Sequence, residues 1–442
     1  MSAVFQRNCN AKMPIAVKGD GVYIIDQNGK RYLDGCGGAA GSSLGHSHPR
    51  VKAAITEQLD KIPFAHTGFF SSEPAEQLAQ FLIDKAPGDM GKIYFTSGGS
   101  EAVEAALKLA RQYFLERDQP QRQLFISREQ SYHGNTLGAL GVGGNAWRRE
   151  PFAVLMNDAN YISPCYAYRG QQPGETEFDY GQRVATELET KLQQLGPETV
   201  LAFIAEPVVG ATLGAVPSVP GYFKRVREIC DNAGILLILD EVMCGMGRTG
   251  SLFAYEQEAI VPDMVTMAKG LGAGYQPIGA LMVSSEIHNT VASGSGFFQH
   301  GHTYIGHATA CAASMAVQQV IEEEQLLANV QTQGKYLKQQ LQQCFAEHPH
   351  IGDIRGRGLF LGFELVAERA DKSPLPLDSQ IQHKIKAQLM ENGLMCYPGA
   401  GSVDGRRGHH ILLAPPFIVE QQHLDFLVET LAKSIKQVLN RI

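Results

Sequence analysis

Ile235-Leu-Leu-Ile-Leu239, which leads into Asp240, and Met264-Val-Thr-Met-Ala268, which leads into Lys269, are the stretches that decide the fold. Each is a short apolar run of the kind that forms a strand buried on both faces of a parallel sheet. Open α/β sheets bind their ligands at the carboxyl ends of the strands. The sequence therefore predicts an α/β fold in which an acid and a lysine meet at one edge of the sheet.

A lysine and an acid in this position are the protein groups that pyridoxal phosphate requires. Lys269 would form a Schiff base with the cofactor, and Asp240 would pair with the nitrogen of its pyridinium ring. A salt bridge between the two residues at the sheet edge is the alternative, because buried charges are usually paired.

Other short apolar runs alternate with helical patterns and predict further strands of the same sheet. They are Ile93–Phe95, Leu124–Ile126, Val200–Ala205 and Ile278–Val283. Polar or glycine-rich segments follow three of these runs, namely Ser97-Gly-Gly-Ser100, Tyr132-His-Gly134 and Glu206-Pro207. We expect them to converge with Asp240 and Lys269 on one rim, which would form the active site.

The segment Ser97-Gly98-Gly99-Ser100 precedes a helical pattern that runs from Val103 to Phe114. The free N–H groups and the dipole of a helix N-terminus bind phosphate, and glycines permit a close approach. Ser100 could instead act only as an N-cap. We predict that Gly99 and Ser100 belong to a phosphate-binding turn.

The remaining candidates would line the same rim. Tyr132 could stack on a flat cofactor ring or simply pack in the core, and His133 would have a supporting role. Val242 would point to the same side as Asp240 on an extended strand and could pack the opposite ring face. The Glu206 carboxylate could be solvated at its strand end or could accept hydrogen bonds near the substrate.

The segments Asp240–Gly250, Pro262-Asp263 and Ala268–Gly274 closely resemble the signature of class III, or omega, aminotransferases, and the resemblance extends along nearly the whole chain. It implies a fold-type-I pyridoxal-phosphate enzyme with a large, mainly parallel sheet domain and a smaller α+β domain. It also implies a ping-pong transaminase that uses Lys269 as the Schiff-base residue. The donor would be an amine or omega-amino acid, and the acceptor a 2-oxo acid, pyruvate or 2-oxoglutarate. Decarboxylation-coupled transamination and aminomutase chemistry are the alternatives within the family.

The resemblance further implies individual roles. Gly99 and Ser100 would hold the cofactor phosphate, Tyr132 would stack on its ring, and Glu206 would lie near the substrate. Thr303 matches a threonine that reaches the phosphate of the neighbouring subunit, which implies a homodimer, or a higher oligomer, with shared active sites.

A mobile arginine that binds the substrate carboxylate precedes an Ala-Pro-Pro segment in the family, and both Arg406 and Arg407 match it. The chain departs from the family in one respect. Small residues fill Asp34–Ser43, where many omega enzymes have a tryptophan that walls the pocket, so the aromatic-amine pocket is not expected.

One glycine motif favours a different cofactor. Gly245-Met-Gly-Arg-Thr-Gly250 satisfies the GxGxxG pattern of nicotinamide-dependent oxidoreductases. However, Asp240-Glu241 separates it from the strand, and the segment after it is a poor crossover helix. A nicotinamide-dependent oxidoreductase is therefore the alternative from outside the family.

Length and composition limit the remaining possibilities. A chain of 442 residues exceeds the size of most single cores, so we expect more than one domain. We expect a large cofactor domain (61–325) and a C-terminal small domain (326–442), which the N-terminal segment (1–60) joins.

The net charge of −7 does not favour binding of nucleic acid, and no run is apolar enough to span a membrane. The histidines His300, His302 and His307 do not fit a metal site. The scattered cysteines and the absence of a signal peptide predict a cytoplasmic protein.

Overall fold

A computed structural model describes residues 3–157 and 159–439 and shows an α/β fold. Its centre is a seven-stranded sheet with the order Met90–Thr96, Gly279–Ser284, Met264–Met267, Leu236–Asp240, Val200–Ala205, Leu124–Arg128 and Asn160–Ile162. Only Gly279–Ser284 runs antiparallel to its neighbours. The sheet is therefore mainly parallel, as the sequence predicted.

Three smaller sheets surround this core. The first contains Ala16–Asp20, Tyr23–Asp26, Arg31–Asp34 and Leu394–Met395, and the last of these pairs in parallel with Arg31–Asp34. The second contains Ile351–Arg357, Phe360–Glu368, His409–Leu413, Tyr397–Ala400 and Ser373–Pro374. The third is the pair Val208–Val209 and Val216–Pro217. The N-terminal strands thus join the C-terminal region, whereas the domain boundaries drawn from the sequence stay a prediction.

Helices cover the sheets. The α-helices are Gly37–Ala40, Pro49–Lys61, Glu73–Lys85, Gly99–Leu115, Leu137–Val142, Ala146–Arg149, Ala167–Gly170, Glu177–Leu195, Tyr222–Ala233, Ser285–Ser293, Ala308–Glu323, Leu326–Phe345, Ile381–Glu391 and Gln421–Leu439. Short 3₁₀ turns occupy Glu150–Leu155, Pro197–Thr199, Ala254–Glu258, Lys269–Leu271 and Leu377–Ser379. Within the described ranges, no helix is both long and apolar enough to cross a membrane.

The central strands are apolar because both of their faces are covered. Every residue of Val200–Ala205, Leu236–Asp240 and Met264–Met267 is buried. Helix Gly99–Leu115 packs its buried face, which includes Val103, Ala106 and Ala110, in one of the flanking clusters. Because both faces are dry, the polar chemistry of these strands is confined to their ends.

Candidate active site

A cavity of about 280 Å³ lies where the central strands end. Its lining includes residues that the sequence predicted for the site: Gly99, Ser100, Tyr132, His133, Glu206, Asp240, Val242 and Lys269. It also includes residues that the sequence reasoning did not single out: Arg7, Ala39, Gly134, Arg148, Ala211, Met243, Ala268 and Tyr397. The structure therefore brings the polar strand ends together in one place.

Lys269 follows strand Met264–Met267 and begins a 3₁₀ turn with a backbone φ of 46°. Burial lowers the pKa of Lys269 from 10.5 to about 8, because the surrounding protein disfavours an ammonium ion. The carboxylates of Asp240 and Glu206 oppose this shift. Lys269 therefore becomes a neutral amine, the form that acts as a nucleophile and as a base, at a lower pH than an exposed lysine does.

Asp240 is the last residue of strand Leu236–Asp240 and is 3% exposed. Its Oδ2 lies 2.8 Å from Nδ1 of His133, and its Oδ1 accepts the backbone N–H of Val242 at 3.0 Å. His133 is itself buried, with Nε2 3.4 Å from Oγ of Ser127. These contacts fix the orientation of the carboxylate at the cavity wall. His133 thus contacts the Asp240 carboxylate directly, and its supporting role stays a prediction.

The helix that begins at Gly99 presents its N-terminus to the cavity. The N-cap is Gly98, and Ser100 does not cap the helix, since its Oγ accepts the backbone N–H of Asn135 at 2.9 Å. A Cβ atom on Gly99 would lie 2.8 Å from Cγ1 of Val242, so only glycine fits there without displacement. The N–H groups of the first turn have no partners within the helix and are suited to an anion.

Glu206 closes another side of the cavity. Its carboxylate accepts the backbone N–H groups of Tyr132 at 3.1 Å and of Gly210 at 3.2 Å. Burial raises the pKa of Glu206 above 4.5. The Tyr132 ring carries the guanidinium of Arg148 on one face, 4.8 Å from the ring centroid. Glu206 and Tyr132 are thus joined by a hydrogen bond at the site.

Three residues proposed from the resemblance are not part of the cavity lining. Thr303 is exposed. Arg406 contacts Glu150, and Nε of Arg407 lies 2.6 Å from Oδ2 of Asp404. The role of Thr303 requires a second subunit, and the role of either arginine requires its loop to move; both stay predictions.

Arg148 is the most informative residue that the sequence reasoning missed. It belongs to a four-residue helix, and nothing in the pair Arg148-Arg149 indicates which side chain faces inward. The only hint in the sequence was that Arg148 follows Tyr132 by 16 positions, along a glycine-rich segment. By contrast, Ala39 lies in the Asp34–Ser43 stretch of small residues that the sequence had connected with the pocket wall.

The glycine motif at 245–250 does not form a cofactor-binding turn against the cavity. Its residues are buried, and Gly247 and Gly250 have positive φ values of 90° and 98°. They pack against Leu327, Phe417 and Gln331.

Among residues 3–157 and 159–439, no group of histidine, cysteine and acidic side chains is arranged to hold a metal ion.

Comparison with known proteins agrees with this geometry. Residues 4–435 match the model of the family described as "Aminotransferase class-III". The chain belongs to the class III aminotransferases. It is 43% identical to an uncharacterised aminotransferase of Schizosaccharomyces pombe over 98% of this chain and 94% of the relative.

Solved structures of other class III aminotransferases have the same fold. A thermostable (S)-enantioselective omega-transaminase from Thermomicrobium roseum superimposes with a TM-score of 0.92 at 37% identity, over 98% of this chain and 94% of that one. An omega-transaminase from Pseudomonas jessenii, solved in complex with PMP, superimposes with a TM-score of 0.92 at 32% identity, over 97% and 94% of the two chains.

Class III aminotransferases depend on pyridoxal phosphate, and the residues of this cavity fit that group. The fit rests on a lysine of lowered pKa, a buried and oriented carboxylate, and a helix N-terminus where glycine is sterically required. The chemistry of a nicotinamide-dependent oxidoreductase does not require this combination of three features.

Proposed function

We propose that this class III aminotransferase transfers the amino group of an amine or omega-amino acid to a 2-oxo acid, pyruvate or 2-oxoglutarate, in a ping-pong cycle. The observation that carries the proposal is the convergence of Lys269, Asp240 and the helix start at Gly99 on one cavity. The small residue Ala39 lines the same cavity. Because its side chain is small, this wall leaves space for donors other than aromatic amines.

The proposed mechanism assigns a task to each group. When bound, pyridoxal phosphate supplies an aldehyde that captures amines and a ring that accepts electrons. Nζ of Lys269 would hold the cofactor and, once released, would move a proton at the substrate carbon as general base and acid. Asp240, oriented by His133, keeps the ring nitrogen protonated. Gly99 and Ser100 would bind the phosphate, and Tyr132 and Val242 would enclose the ring; all four line the cavity.

We also propose that the enzyme is a homodimer, or a higher oligomer, with shared active sites. Large apolar side chains are exposed near the Thr303 loop, including Phe69 at 81%, Phe70 at 69% and Tyr304 at 58%. The Phe64 ring centroid is 5.4 Å from that of Tyr304, and the His66 ring lies between Phe64 and Phe69, at 6.5 and 5.8 Å from them. Such a patch is typical of an interface. The eight cysteines are all unpaired, which is in keeping with the cytoplasm.

The test is an assay of the purified holoenzyme with a panel of amines and omega-amino acids against pyruvate and 2-oxoglutarate. Formation of alanine or glutamate from one acceptor, together with the carbonyl product of the donor, would support amino transfer and identify both substrates. Release of carbon dioxide, or movement of the amino group within a single molecule without any acceptor, would instead indicate the decarboxylase or aminomutase alternatives.

A further inference from the structure

The cavity contains an arginine that has no anionic partner. Arg148 lines the cavity, and its guanidinium lies 4.8 Å from the Tyr132 ring centroid and 5.8 Å from that of Trp147. Across residues 3–157 and 159–439, its guanidinium forms no ion pair and no side-chain hydrogen bond. A guanidinium facing a cavity in this state is suited to a bidentate carboxylate.

The acids of the cavity are already engaged. Asp240 is held by His133 Nδ1 and the N–H of Val242. Glu206 accepts two backbone N–H groups and is buried. Since neither carboxylate pairs with Arg148, the positive charge of Arg148 remains available to a ligand. That charge also contributes to the lowered pKa of Lys269, which places it within electrostatic reach of the amine.

The backbone of Arg148 is held in place before any ligand binds. Its N–H donates to Oδ1 of Asn145 at 3.2 Å, which caps the short helix Ala146–Arg149. Asn145 is buried, and the N–H of Gly144 donates to Oγ of Ser131 at 3.0 Å. These contacts attach the helix to the segment that carries Tyr132, so Arg148 does not need a loop closure to reach the cavity.

Other arginines are less well placed for the same task. Arg406 and Arg407 each contact an acid, and a carboxylate at either would have to compete with Glu150 or Asp404. Arg7 lines the cavity but is exposed, in an N-terminal segment without helix or strand. Of these four arginines, Arg148 alone combines a cavity position, a fixed backbone and an unpaired charge.

We propose that Arg148 binds the carboxylate of the 2-oxo acid acceptor. The Tyr132 ring provides a second position for the guanidinium when an amine without a carboxylate enters, because a cation is stabilised over an aromatic face. The pair Arg148–Tyr132 would therefore let one cavity accept both a charged acid and an uncharged amine side chain. This inference rests on the proposed amino transfer to a 2-oxo acid.

The experiment compares Arg148→Gln and Arg148→Lys holoenzymes with Arg31→Gln as the matched control. The Arg31 guanidinium also lies over a tyrosine ring, 4.1 Å from the centroid of Tyr23, but outside the cavity. Arg148→Gln should raise KM for the oxo acid roughly 10- to 100-fold, as expected for loss of a charge-assisted pair. KM for an amine without a carboxylate should change much less than KM for the oxo acid. Arg148→Lys should show a smaller rise, and Arg31→Gln none.

A binding measurement separates this inference from the proposed function. Succinate, an unreactive dicarboxylate, should compete with the oxo acid in the wild type and lose affinity in Arg148→Gln by a similar factor. An equal effect of Arg148→Gln on oxo acid and amine, or no effect on either, would overturn the assignment. So would a selective rise in the acceptor KM with Arg7→Gln, Arg406→Gln or Arg407→Gln but not with Arg148→Gln. A wild-type enzyme that uses no 2-oxo acid would overturn the proposed function itself.

Discussion

Lys269 is the residue on which the proposed chemistry depends, and burial changes its protonation. Burial lowers its pKa to about 8 from 10.5, against the attraction of Asp240 and Glu206. A cation with a lowered pKa gives up its proton as pH rises through the lower value, so its neutral form predominates above about pH 8.

We expect competitive acetylation of the apoenzyme to report this pKa directly. Labelling of Lys269, followed by peptide mass spectrometry, should rise with a midpoint near pH 8 instead of 10.5. In Asp240→Asn the midpoint should move lower, because the carboxylate that favours the ammonium form has been removed. A midpoint near 10.5 in the wild type would show that the amine is not desolvated.

Asp240 leads to a second prediction at the same scale. Asp240→Asn should still take up pyridoxal phosphate but should lose turnover by roughly 10²-fold or more, because a neutral amide cannot stabilise a protonated ring nitrogen. Turnover and cofactor absorbance, measured on the same sample, check this. His133→Gln is an informative companion, since it leaves Asp240 charged but removes the imidazole that orients it. Near-full turnover of Asp240→Asn would reduce Asp240 to a structural role.

Among the elements, the start of helix Gly99–Leu115 offers a matched pair of glycines. A Cβ on Gly99 would meet Val242 at 2.8 Å, whereas one on Gly98 would have no atom within 4 Å. Neither position has a left-handed φ, so backbone strain does not separate the two. Gly99→Ala should weaken retention of pyridoxal phosphate during dialysis, and Gly98→Ala should change it much less. Equal retention by both variants would argue against close packing of this turn.

The elements that the sequence predicted best were those with a continuous physical signal. The apolar runs Val200–Ala205 and Met264–Ala268 correspond to strands that are buried on both faces. The run Leu124–Ile126 also corresponds to a strand, which is partly buried at its start. The helical pattern from Val103 to Phe114 lies within helix Gly99–Leu115. Polar residues directly after these strands lie together because parallel strands share one carboxyl edge.

What the sequence did not predict depends on contacts between distant segments. The short helix that carries Arg148 is adjacent to the loop of Arg406, which contacts Glu150 across 256 positions. No local periodicity encodes such a contact, so the inward position of Arg148 could not be read from the residues. The role predicted for Thr303 would likewise depend on a second chain; within one chain Thr303 is exposed and outside the cavity.

For the whole molecule, the proposed dimer makes a complementation experiment possible. Thr303→Ala and Lys269→Ala homodimers should each be impaired, Thr303→Ala through weaker cofactor retention. After subunit exchange, the hybrid should regain activity, because one of its sites would combine an intact Lys269 with an intact Thr303 from the other chain. Absence of recovery, once native mass spectrometry has verified exchange, would count against shared sites.

The central claim is that Lys269 holds the cofactor. The direct measurement is borohydride reduction of the holoenzyme prepared with pyridoxal phosphate, followed by proteolysis and peptide mass spectrometry. We expect one stable phosphopyridoxyl label, on Lys269, in the wild type and no such label in Lys269→Ala. A label on another lysine in the wild type, or no label despite bound cofactor, would contradict it.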